Sequence, residues 1–315
     1  MPYKHIPVML NEALYYLNCE PGKIFVDCTL GGSGHAKAIL KKIVPAGLLI
    51  GIDQDKDAIR NAKVVLKAYA SNIRLFNKNF IYLPELLSQL DIDSIDGVLL
   101  DLGISLDQLE SSGRGFSFKR DEPLDMRMNI ESSTKAENLL NRLEKDSLAK
   151  IFKEYGEERW AWQIAQKIVK VRKREAIKST KQLSQIVCSA IPKRRRDSNQ
   201  RIHPATRVFM ALRIAVNREL ERLDLFMEKV INLLNPYGRL CVLSFHSLED
   251  RIVKHRIKAL EKGCICPPDF PKCVCNKKKR VRLLTKKVLR PSADEIKVNP
   301  MARSARLRAV ERLED

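Results

Sequence analysis

The segment IFVDCTLGGSGHA at 24–36, followed by LLIGIDQD at 48–55, constrains this chain more than any other. An apolar strand breaks into a turn at Gly31, Gly32 and Gly34 that opens a helix, and a second apolar strand ends in Asp53. Glycine lets a backbone approach a ligand without a Cβ in the way, and a helix start offers N–H groups with no partner in the helix. In a doubly wound sheet, an acidic residue about 20 positions after such a turn meets ribose hydroxyls. The pattern predicts a nucleoside-containing ligand at the carboxyl ends of parallel strands.

The ligand class follows from what the turn lacks. Gly31-Gly32-Ser33-Gly34-His35-Ala36 does not supply the G-x-G-x-x-G spacing of a pyrophosphate site, and no G-x-x-x-x-G-K-[ST] loop is present. Asp27, just before the turn, suits a ligand with a cationic end better than a diphosphate. S-adenosylmethionine has such an end. The glycines alone leave an ordinary strand-to-helix turn equally open; Asp53 tips the reading toward a cofactor.

At 315 residues, 44% hydrophobic and 30% charged, the chain has material for one large domain or two modest ones. Its formal net charge of +20 makes a polyanion the natural partner. The charge is concentrated at Lys170, Arg172, Lys173 and Arg174, then at Lys193, Arg194, Arg195, Arg196 and Arg201. The opening MPYKHIPVMLNEAL carries Lys4, His5 and Glu12 and reads as no secretory signal, and no apolar run has membrane-spanning length. Cys19, Cys28, Cys188 and Cys241 are scattered singly, as expected of buried thiols in a reducing cytoplasm. The expected location is cytoplasmic.

Strand and helix alternate as far as IDGVLLDLGIS at 95–105, a buried strand finishing in Asp101 and a turn at Gly103. A helix is expected over 57–70, with Ala58, Ile59, Ala62, Val65 and Leu66 on one side, then a strand over 73–76 ending near Phe80. From 113 to about 201 no buried strand is evident. Helical patterns occupy 147–153 and 157–172, the latter with Trp160, Ile164, Ile168 and Val171 on one face. A long amphipathic helix is expected over 205–234, before the strand pattern resumes at 238–247. The simplest reconstruction is a sheet domain in two parts, 1–110 and 204–315, around an inserted helical domain at 111–203.

Four further motifs carry chemistry. GRGFSFKRDEPLDMRM at 113–128 permits two readings: Phe116 and Phe118 stack on bases while Arg114, Lys119 and Arg127 meet phosphates, or the phenylalanines are core in a packed connector. In SFHSLEDRIVK at 244–254, Ser247 is the expected helix cap with Asp250 three residues on, and His246 reads either as a substrate ligand or as a structural histidine. Cys264, Cys266, Cys273 and Cys275 lie within twelve residues, with a thiolate zinc site weighed evenly against an idle or redox-sensitive hairpin. The tail, with Arg303, Arg306, Arg308 and Arg312, reads equally as part of the core domain or as an RNA grip.

Together KHIPVMLNEAL, DCTLGGSGHA, IDQD, DGVLLDLGIS, RGFSFKRDEPLDMRM, YGEERWAWQIA, HPATRVFMALRIAVNREL, SFHSLEDRIVK and NPMARSARLRAVER closely resemble, nearly end to end, the bacterial MraW family of small-subunit ribosomal RNA methyltransferases. The resemblance implies an α/β fold, a Rossmann-like S-adenosylmethionine-dependent methyltransferase domain with an inserted all-helical domain. It implies methyl transfer from S-adenosyl-L-methionine to N4 of one cytidine in the decoding region of 16S ribosomal RNA, within the small ribosomal subunit or a late assembly intermediate. Carried over by motif, Ser33, Gly34 and His35 contact the cofactor, Asp53 holds its ribose and Phe80 lies near the adenine. Asp101 and Gln108 complete the pocket and border the target base. Methyl transfer to N4 needs no metal but needs an acceptor for an amino hydrogen, a role for which Asp101, the candidate catalytic residue, or a backbone carbonyl in 102–105 is placed. A DNA amino-methyltransferase is the nearest rival, but such enzymes carry D/S-P-P-[YFW] where this chain has Asp101-Leu102-Gly103-Ile104. The other rival is a non-catalytic ribosome-assembly protein, against which intact Asp53 and Asp101 argue.

Overall fold

A computed structural model of the chain describes residues 6–192, 203–264, 266–267, 270–272, 274–275 and 277–314. Lys4, His5, Cys273 and the basic cluster Lys193, Arg194, Arg195, Arg196 and Arg201 lie outside the described residues. The chain divides into two compact units, one formed by Met1–Gly103 with Leu220–Asp315 and the other by Ile104–Glu219.

The first unit is built on a seven-stranded sheet. Its strands are β1 (Ile24–Asp27), β2 (Leu48–Asp53), β3 (Ile73–Asn77), β4 (Ile95–Asp101), β5 (Leu234–Ser244), β6 (Val281–Leu283) and β7 (Arg306–Arg312), in the order β3-β2-β1-β4-β5-β7-β6. The first five are parallel, and β7 runs antiparallel to both β5 and β6. Strands buried on both faces need continuous apolar runs, and β1, β2 and the central parts of β4 and β5 have them. Val26, Ile50, Val98 and Leu240 face a layer that includes Leu86, Phe226 and Val253, while Phe25, Leu49, Leu99 and Cys241 face one that includes Leu17, Ile39 and Ile59. The chain goes outward from β1 through β2 to β3 and then returns to β4 on the other side of β1. That reversal opens a crevice at the carboxyl ends of β1 and β4, where sheets of this kind bind ligands.

Two expected helices are shorter in the structure. The one expected over 57–70 runs Lys56–Val65, capped by Asp55, whose side chain accepts from Asp57 N–H, and continues as a 3₁₀ turn at Lys67–Asn72. The one expected over 205–234 is two helices, Ala205–Asn217 and Glu219–Lys229, separated by Arg218 at φ 51°. The break coincides with a contact distant in sequence. The buried Asn217 accepts from Met128 N–H at 2.8 Å and donates to Met126 O at 2.8 Å, so the helix ends where its side chain serves the 126–128 loop. The tail also finds its place: β7 is a buried strand, and Arg308 pairs with Asp250.

The second unit contains no strand among the described residues, only an isolated bridge between Pro123 and Ser179. Its core joins Leu148 and Phe152 of helix Lys145–Gly156 with Ile164 and Ile168 of helix Ala161–Arg172 and Leu183 of helix Thr180–Ala190. Val208 and Leu212 of helix Ala205–Asn217 complete it. The 113–128 connector belongs to this core. Phe116 is buried, Phe118 stacks on His203 with centroids 4.5 Å apart, and Arg114 donates to the carbonyls of Arg127 and Met128. Arg127 is held by Asp125 at 2.7 Å and by the carbonyls of Ile130 and Ser132. Of the two readings of this segment, the packed connector is the one the structure bears out, with Lys119 alone of its three named cations left exposed.

Candidate active site

Three carboxyl groups close the strands around the crevice: Asp27 on β1, Asp53 on β2 and Asp101 on β4. The turn after β1 is tied to its neighbours by backbone bonds, Cys28 N–H to Leu99 O at 2.9 Å and Leu30 N–H to Ile52 O at 3.2 Å. Asp53 fastens it further. Its Oδ2 accepts from Gly31 N–H at 2.9 Å and its Oδ1 from Asp55 N–H at 2.9 Å. Thr29 completes the frame by accepting from Asp101 N–H at 2.7 Å. The glycine turn is therefore held by the ends of both flanking strands.

Ser33 caps the helix Gly34–Ile43 in a left-handed conformation with φ 64°, and its side chain is fully buried. At Gly34 the demand for a missing side chain comes from the N-terminal segment, since a Cβ there would sit 3.0 Å from Pro7 Cγ. His35, also buried, points Nε2 at Val8 O, 3.0 Å away, which assigns that nitrogen a hydrogen. Its Nδ1 lies 3.5 Å from Asp101 Oδ2. The histidine thus links the segment before the first helix to the carboxyl at the end of β4.

Burial dominates the electrostatics. It pushes the Asp27 carboxyl up to about 7, with the charge of Asp53 adding and the Thr29 N–H opposing. Asp101 is held well above the usual carboxylate range by burial, then by Asp27 and Glu249. Asp27 Oδ2, Asp101 Oδ1 and Ser33 Oγ are buried and have no hydrogen-bond partner. Buried polar atoms left unmatched at a strand-end crevice call for a ligand. Carboxylate oxygens in this setting favour one that brings positive charge and N–H or O–H donors, a description that S-adenosylmethionine fits with its sulfonium and ammonium groups.

Residues after β2 and β3 brace the crevice from the side. Asn77 donates to Asp53 O at 2.9 Å, while Asn79 and Arg222 both donate to Gln54 Oε1 at 3.1 Å. Phe80 is buried edge-on against Phe226, with centroids 5.0 Å apart. Beyond β5 the helix Ser247–Lys262 is capped by His246, not Ser247, and the reciprocal partner is Glu249, not Asp250. Glu249 Oε2 accepts from Phe245 N–H at 2.8 Å, and its Oε1 lies 3.1 Å from His246 Nε2. The His246 ring serves the cap, and Asp250 is engaged by Arg308 instead.

Residues 2–313 match the family model described as the MraW methylase family. The chain belongs to this family. It is 52% identical over 99% of its length to the whole of a ribosomal RNA small subunit methyltransferase H from Desulfosudis oleivorans, and 52% identical, with the same coverage, to its counterpart from Desulforapulum autotrophicum. A protein of the same name from Halothermothrix orenii is 47% identical over 98% of this chain and 99% of its own length.

In this MraW chain the sheet unit gathers Ser33, Gly34, His35 and Asp101 around one crevice and binds Asp53 to the same turn. Gln108 belongs to the helical unit, where it closes a reciprocal cap with Ser105 at the start of helix Leu106–Glu110. Thr29, Asn79 and Arg222 belong to no motif that marks them in the sequence. Glu249 is marked in the sequence by its position three residues after His246, the spacing of a reciprocal cap.

Proposed function

We propose that this chain transfers a methyl group from S-adenosyl-L-methionine to the exocyclic N4 of a specific cytidine in the decoding region of 16S ribosomal RNA. We further propose that it acts on the small ribosomal subunit or its late assembly intermediate. The observation that carries the reading is the set of partnerless buried atoms on Asp27, Ser33 and Asp101 at the β1–β4 crevice of a MraW-family chain. When bound, the cofactor supplies a methyl group on a positively charged sulfur. Asp27 and Asp101 favour a cation beside them, and Ser33 Oγ with the N–H groups of Gly34 and His35 orients its polar end. Asp53 retains acceptor capacity for ribose hydroxyls, because a carboxylate offers about four lone-pair sites. Phe80 borders the adenine, its ring fixed by Phe226.

The amino lone pair of cytosine is delocalised into its ring. Asp101, accepting one N4 hydrogen, favours the pyramidal form that attacks the methyl carbon in line with the departing sulfur. Holding the reacting atoms at about 3–3.5 Å in that line supplies much of the acceleration. The base must first leave its stack, as base-modifying enzymes generally require. Attack from cytosine C5 would need a covalent thiolate. Cys28, at the end of β1, is held as a thiol by burial and by the charge of Asp27.

Exposed Lys170, Lys173 and Arg174 at the end of helix Ala161–Arg172 meet RNA phosphates in this reading, whereas Arg172 is committed to Leu140 O at 2.7 Å. The decisive test is mass spectrometry of nuclease-digested 16S RNA from cells lacking the protein. One N4-methyl mark should be missing, restored by the wild-type chain and not by Asp101→Ala, while that variant still binds the ribosomal particle. Methyl found at cytosine C5 would overturn the mechanism.

A further inference from the structure

Among its described residues, the loop after helix Ser247–Lys262 buries little apolar material of its own. The chain leaves the helix at Gly263, with φ 67° and Lys279 N only 2.5 Å from where a Cβ would stand. It returns where Arg280 N–H donates to Leu260 O at 2.9 Å. Within the excursion, the large apolar side chains Phe270 and Val274 are 52% and 67% exposed. A segment without a core is held by a cross-link or a metal.

Three thiols converge in it. Cys275 Sγ lies 3.7 Å from Cys264 Sγ, and Cys266 Sγ joins them with all three sulfurs within 4.8 Å of one another. A disulfide brings sulfurs to about 2.05 Å. The edge of a tetrahedron around zinc, with Zn–S near 2.3 Å, is about 3.8 Å. The spacing of Cys264 and Cys275 is that of two ligands sharing one ion. Val274 N–H also donates to Cys266 Sγ at 3.4 Å, a bond that orients the sulfur. Lys272, Lys277, Lys278 and Lys279, next to these cysteines in sequence, are exposed. An all-sulfur set selects zinc over the hard cations.

We propose that Cys264, Cys266 and Cys275 hold a structural zinc ion that fastens this loop to the end of its helix. Cys273 lies outside the described residues, and the proposal rests on the other three. The full chain, purified under reducing conditions, should carry about one zinc per molecule by elemental analysis, falling at least about tenfold in a Cys264→Ser/Cys266→Ser double variant. Wild-type chain stripped by chelator and titrated with Co(II) should develop intense sulfur-to-cobalt charge-transfer absorption and tetrahedral ligand-field bands, saturating at about one equivalent. That measurement does not depend on any variant folding. Zinc retained by the double variant, absence of these bands, or a Cys264–Cys275 disulfide in the freshly isolated protein would each overturn the proposal.

Discussion

Replacing Asp27 by asparagine isolates the cost of a buried carboxyl at the end of β1. The group is displaced from 3.8 to about 7, chiefly by burial. At about 1.36 kcal/mol for each pH unit of displacement, keeping it ionised in the folded protein costs about 4 kcal/mol. The sign follows from a folded value above the unfolded one. Below about pH 4 both states hold the proton and the penalty is absent; between about 4 and 7 the unfolded chain ionises first, so stability declines; above about 7 the penalty is complete. Asparagine retains an oxygen to accept the Thr29 N–H and carries no charge. Without cofactor, Asp27→Asn should therefore exceed wild type in stability by a few kcal/mol at about pH 8 and by little at about pH 4.5. Part of the gain passes through Asp101, whose carboxyl Asp27 pushes up. Urea unfolding across this range reads the difference directly. Added S-adenosylmethionine should reverse the ranking at pH 8, because its positive charge rewards the ionised carboxyl. A difference between variant and wild type that does not change from pH 4.5 to 8 would refute the reasoning.

Asp53→Ala should weaken S-adenosylmethionine binding by about 1–3 kcal/mol in calorimetry on chelator-treated protein, through the lost ribose acceptor and the loosened Gly31 turn; unchanged affinity would move the pocket. Gly34→Ala should destabilise the protein by about 1–3 kcal/mol in thermal unfolding, because the new methyl presses on Pro7. Replacing Lys170, Lys173 and Arg174 with serine should make particle binding less salt-dependent, the slope falling by about one for each phosphate no longer neutralised, and leave cofactor affinity unchanged. Arg172→Ser should instead lower the stability of the helical unit, since it leaves the Leu140 carbonyl without its donor.

The strand-end carboxylates were legible because parallel strands are continuous apolar runs, and a charge at the end of one marks both the boundary and the ligand side. Asp27, Asp53 and Asp101 all read that way. What escaped were features set by contacts distant in sequence. The break at Arg218 has no glycine to announce it and depends on Asn217 reaching back to 126–128. Gly34 reads as part of a ligand turn, yet the approach of Pro7 already accounts for its missing side chain. The aromatics of 113–128 are spaced equally well for stacking on bases or packing in a core, and only the positions of His203 and Phe209 decide. His246 has little meaning alone; its role lies in Glu249.

The order in which strands are made differs from the order in which they pair. β7 lies between β5 and β6, so β5 meets its antiparallel neighbour, and β6 its only one among the described residues, after 245–305 has left the ribosome. At synthesis rates of about 5–20 residues per second, the apolar edge of β5 stays open for several seconds. During that interval it is a template for pairing with any exposed strand. β7 thus completes the sheet between β5 and β6, and crowding or delayed translation beyond β6 exposes the nascent chain to misassociation at β5.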